Sequence, residues 1–71
     1  GDPERGLTHL REAVSRNSRS PTIRYHLGVA LEEYGNTLGA TREMRAALSM
    51  GRDFPGRQDA EQRLLRLVGE R

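Results

Sequence analysis

This 71-residue chain predicts an all-α fold, an antiparallel helix-turn-helix solenoid of about four helices. Three observations carry that reading. Residues 1–21 and 35–55 repeat each other 34 positions apart, pairing Gly35 with Gly1, Asn36 with Asp2, Ala40 with Gly6, Met44 with Leu10, Ala47 with Ala13, Leu48 with Val14 and Pro55 with Pro21. Self-similarity at such a period marks a stack of units that bury their apolar faces only against neighbours. Apolar residues recur at helical spacing, and no stretch alternates with period two for long enough to make a strand. The connections are short, so successive helices are antiparallel neighbours.

The first helix starts at Asp2-Pro3, because Asp can accept from free backbone N–H groups and Pro fits the first helical position. Leu7, Leu10, Ala13 and Val14 give it one apolar stripe, and the polar run Asn17-Ser18-Arg19-Ser20 ends it near Asn17. Ser20-Pro21 repeats the start signal, and Ile23, Leu27, Ala30, Leu31 and Tyr34 form the next stripe. Gly35 stops that helix, since a residue without Cβ tolerates the left-handed backbone of a helix terminus. Asn36 caps the third helix, with an expected buried set of Leu38, Ala40, Met44, Ala47 and Leu48, and Gly51 closes it. After the Asp53-Phe54-Pro55-Gly56 turn, Ala60, Leu64, Leu67 and Val68 make the last stripe.

Length allows one domain with a thin core, since a chain this short buries only about 60% of its unfolded surface. Hydrophobic residues make up 34% and there is no Trp, so the apolar layer must come from Leu, Ala, Val, Ile and Met, which suits helices packed through small residues. With no cysteine there is neither a disulfide framework nor a thiolate metal site. No run of about 18 apolar residues exists, so no membrane span is expected within this segment, nor does a basic stretch lead into an apolar one as in a signal peptide. The net charge is +2, and the twelve basic residues are all Arg, interleaved with Glu12, Glu32, Glu33, Glu43, Asp59, Glu61 and Glu70. Mixed signs of this kind describe solvated, ion-paired faces.

Residues 21–54 resemble one tetratricopeptide repeat. Arg24-x2-Leu27-Gly28-x2-Leu31, then Ala40-x3-Met44 and Ala47, follow that family's spacing, with Gly35-Asn36 at the turn inside the unit. Leu27, Gly28, Ala40, Met44 and Ala47 are the repeat signature, and Gly28 lets the two helices of a unit approach closely. Arg24, Leu31, Met44 and Arg52 depart from the family's Trp, Tyr, Phe and Pro. The resemblance implies that residues 3–17 are the second helix of a preceding repeat, 21–54 one complete repeat and 56–69 a capping helix. On that register the chain is part of a longer repeat protein. The wording Pro21-x-Ile23-Arg24-Tyr25-His26-Leu27, with Gly51-Arg52-Asp53-Phe54-Pro55 and Ala60-x3-Leu64-Leu65, is similar to the carboxy-terminal units of large bacterial repeat proteins. Some of those belong to the PEP-CTERM exopolysaccharide-associated sorting system and look like exported lipoproteins, which would imply a periplasmic rather than a cytoplasmic setting.

The expected function is protein–protein interaction, with a protein or peptide ligand in a concave groove; the alternative is a structural end-cap of the solenoid. The resemblance places Thr22, Tyr25, Val29, Glu32 and Glu33 in that groove. Tyr25 offers a flat amphipathic contact of the sort enriched at recognition surfaces; its other reading is packing against a neighbouring helix. The carboxylate-clamp members of the family use Lys, Asn and Arg at groove positions, which Tyr25 and Val29 do not match. His9 and His26 lie on different helices without the partners of a helical metal site, so neither metal nor cofactor is expected. Ser15, Ser18, Ser20 and Ser49 lack a paired base, and Glu32 and Glu33 diverge by about 100° round a helix, so no enzyme is expected. Arg11, Arg16, Arg19, Arg63 and Arg66 are not collected with stacking aromatics on one acid-poor face, so no nucleic acid is expected either. Weak self-association through the first helix, deprived of a preceding partner, completes the expectations.

Overall fold

The computed structural model describes residues 3–17 and 19–69. They form four helices, α1 (Pro3–Arg16), α2 (Pro21–Tyr34), α3 (Thr37–Ser49) and α4 (Arg57–Gly69), with no strand among the described residues. The all-α expectation is met. Asp2, expected to cap α1, and Ser18, expected in the run that ends it, lie outside the described residues, as does Glu70.

The helix ends follow from local chemistry. Ser20 Oγ accepts from the Ile23 N–H at 3.3 Å, and Pro21 occupies the first position of α2, where a missing N–H costs nothing. At the other end Gly35 takes φ 96°, its N–H donating to the Glu32 carbonyl while the Asn36 N–H donates to that of Leu31. These two bonds satisfy carbonyls that a helix terminus otherwise leaves open. Asn36 then accepts from the Gly39 N–H at 2.8 Å and starts α3 at once. Because the turn is only two residues long, α3 must run back along α2.

The extensive packing is sequential, α1 on α2, α2 on α3 and α3 on α4. With extents of 28 × 27 × 16 Å the molecule is a slab about two helices thick, in which side-chain bonds join α2 to α4 and α1 and α3 flank one cleft. Its core comprises Leu7, Leu27, Leu31, Ala40, Met44, Ala47, Phe54, Ala60 and Leu67. Gly28 lies against Met44, a large side chain with no exposure. Glycine and the three alanines let the helices approach, and Met, Leu and Phe fill what remains.

Two stripe residues differ from expectation. Leu38 is 68% exposed, because at 100° per residue it stands about 160° round α3 from Ala40. Thr41 takes the buried place instead, its hydroxyl donating to the Thr37 carbonyl at 2.9 Å. Tyr34, the last residue of α2, is 50% exposed where the chain turns away at Gly35. The last helix begins one residue later than its expected boundary, since Gly56 at φ 98° is outside helical geometry.

The four departures from the repeat pattern each have a local role. Leu31 and Met44 are core residues. The Arg24 guanidinium donates to Glu43 Oε1 at 3.0 Å, tying α2 to α3 through two half-buried side chains. The Arg52 guanidinium donates to the Arg19 carbonyl, joining the α3–α4 connection to the α1–α2 connection.

Candidate functional site

Two surfaces of α2 carry the features that bear on function. Tyr25 and Glu32, two turns apart, look toward α4. Tyr25 is half-buried between the Phe54 ring, at a centroid distance of 6.0 Å, and the His26 ring at 5.5 Å. Its edge lies on the backbone of Gly56, where a Cβ would come within 2.5 Å of Tyr25 Cε2. The Tyr25 hydroxyl donates to Asp59 Oδ2 at 2.5 Å, and Arg63 Nε donates to the same oxygen at 2.7 Å. Arg63 Nη1 donates to Glu32 Oε1 at 2.8 Å, and Arg66 Nη2 donates to Glu32 Oε2 at 3.0 Å. Five side chains thus form one continuous network between α2 and α4.

The electrostatics follow from that network. Burial alone would raise the Glu32 pKa, but the hydrogen bonds and charges of Arg63 and Arg66 outweigh it and hold the carboxyl below its ordinary value. The Tyr25 hydroxyl, then the Arg63 guanidinium, hold Asp59 low. Donating to Asp59 and burial beside it push the Tyr25 phenol up. Two carboxylates flank Arg63 and keep it charged at every accessible pH.

Two of these bonds, Tyr25 to Asp59 and Glu32 to Arg66, each join residues 34 apart. That offset equals the spacing at which residues 1–21 and 35–55 repeat each other. Thr22 and Val29, both half-buried, and Glu33, exposed, lie beside this network, about 40–100° further round α2. Of the five groove candidates, Tyr25 and Glu32 are therefore engaged with α4, and Thr22, Val29 and Glu33 make up the adjoining outer face. Sequence reasoning missed Asp59, Arg63 and Arg66 as their partners. The available signal was complementarity at the repeat offset, hydroxyl opposite carboxylate and carboxylate opposite guanidinium.

The opposite side of α2, carrying Leu27 and Leu31, floors a cleft of about 300 Å³, with Arg11 and Val14 on the α1 side and Arg42 and Glu43 on the α3 side. Both histidines, His9 and His26, are exposed, and among the described residues no three side chains gather as a metal site requires. Among those residues no helix is long and apolar enough to cross a membrane. No known family, curated protein or solved structure matches the chain.

Proposed function

We propose that the chain is a protein–protein interaction module of the tetratricopeptide kind, acting within a longer helical-repeat scaffold. One observation supports this above others. Side chains 34 residues apart bond directly across α2 and α4, as they would where the first helices of consecutive units stack in register. On this reading α1 is the second helix of one unit, α2 and α3 are a complete unit, and α4 stands where the next begins. The contact surface for a protein or peptide is the outer face of α2, Thr22, Val29 and Glu33, with Tyr25 and Glu32 forming its rigid wall.

A second reading, an end-cap with no ligand, is favoured by the use of Tyr25 and Glu32 to hold α4. Peptides selected from a random display library against the folded chain, mapped by amide chemical shifts, separate the two. The interaction reading expects shifts centred on Thr22, Val29 and Glu33, and a Val29→Ala variant that folds normally yet binds about tenfold more weakly. Selection that yields no peptide mapping to this face moves the conclusion to the end-cap.

A further inference from the structure

The cleft between α1 and α3 has an electrostatic imbalance. Its one acidic side chain, Glu43, is already held by Arg24 at 3.0 Å. Arg11 and Arg42, one from each flanking helix, are exposed and engage no other described residue. Beneath them Val14, Leu27 and Leu31 supply an apolar floor. Two uncommitted guanidiniums above aliphatic side chains match a ligand with an anionic head and an aliphatic body. Guanidinium is weakly hydrated and presents its donors in a plane that fits carboxylate oxygens. A volume of about 300 Å³ stands at the lower end of ligand-site sizes and suits one or two side chains rather than a bulky small molecule.

We propose that this cleft binds a short peptide segment in which a carboxylate side chain sits next to an aliphatic one. Arg11 and Arg42 hold the carboxylate, and the aliphatic group rests on Val14, Leu27 and Leu31. The site is on the far side of α2 from Val29 and Glu33, so it stands whether or not the outer face of α2 binds a partner.

The test is an NMR titration of the isotopically labelled chain with a blocked Leu-Glu-Leu-Glu peptide, its Leu-Gln-Leu-Gln counterpart, and acetate alone. The expected result is saturable shifts at the amides of Val14, Leu27, Leu31 and Gly39 with the acidic peptide only. Arg11→Gln and Arg42→Gln, each checked for unchanged circular dichroism, should each weaken binding about tenfold, as loss of a charged hydrogen bond does. The proposal is overturned by equal binding of the Gln peptide, by the same shifts with acetate alone, by both variants binding like the parent, or by no shifts at millimolar peptide.

Discussion

Replacing Gly28 probes the packing of α2 on α3, where two opposed effects can be weighed. A Cβ at Gly28 would lie 3.0 Å from Met44 Cε and 3.3 Å from its Cγ and Sδ, inside ordinary contact distance. Alanine gains about 1 kcal/mol over glycine in helix propensity. Overpacking costs about 1–3 kcal/mol. Met44 has no exposure, so its methyl can retreat only by shifting other core atoms, and crowding should win. Gly28→Ala is expected to lose about 1 kcal/mol, a fall in Tm of about 4–8 °C for a domain of this size. Gly28→Leu pushes three further carbons into the same contact and should lose about 3 kcal/mol or more, much of the ~5 kcal/mol a small domain holds. Met44→Leu removes the methyl nearest the new Cβ. In that background the cost of Gly28→Ala should shrink by about 0.5 kcal/mol or more, the coupling expected of touching residues. Urea unfolding followed by circular dichroism measures all five chains, the parent, the three single variants and the double variant. If Gly28→Leu unfolds at the same urea concentration as the parent, α2 and α3 do not meet at Gly28, and the register of the helix pair is wrong.

Gly56→Ala should cost about 1–3 kcal/mol from its φ of 98° alone, and the contact of its Cβ with Tyr25 adds to that, so amide exchange across α4 should accelerate more than in α1; equal exchange would refute the anchoring role. Tyr25→Phe keeps the ring contacts and should lose about 0.5–1.5 kcal/mol, with Tyr25→Ala losing more, as read by thermal unfolding. Glu32 and Asp59 have folded pKa values below their ordinary ones, so their stabilisation is complete above about pH 4.5 and disappears as pH falls through the folded values; Glu32→Gln should flatten that acid slope, and an unchanged slope would contradict the network. The Tyr25 pKa is raised, so its stabilisation is present below about pH 10 and lost as pH rises beyond, a loss absent in Tyr25→Phe. Weak self-association through α1 now rests on half-buried Leu10 and Val14, since Leu7 is 3% exposed; sedimentation should show millimolar dimerisation that Leu10→Glu abolishes, and a strict monomer would end the idea.

The helix ends were the most legible part of the fold because their determinants are local. Ser20-Pro21 and Gly35-Asn36 have their hydrogen-bond partners no more than five residues away, so each could be read from a single stretch of sequence. Leu38 fits the expected stripe by its apolar identity but not by its angle round the helix. Tyr34 has the right angle, but nothing in the chain itself marks where cover by a neighbour stops. Pairs between helices were harder still. Glu32 reads as a solvated member of Glu32-Glu33 until Arg63 and Arg66 are known to lie opposite, and that depends on how α4 sits against α2. The repeat offset held that information, since 34 added to Tyr25 or Glu32 lands on its partner.

The consecutive packing of α1 on α2, α2 on α3 and α3 on α4 has a mechanical meaning. A pull applied to the two ends loads these contacts one after another, with the α2–α4 side-chain network and the Arg52–Arg19 bond as cross-links and no strand pair among the described residues to share the tension. Under load the structure should come apart as a strip is peeled, one helix at a time. The peel at the α4 end meets its stiffest point at the Tyr25–Asp59 and Glu32–Arg63 bonds, which act as rivets between two plates.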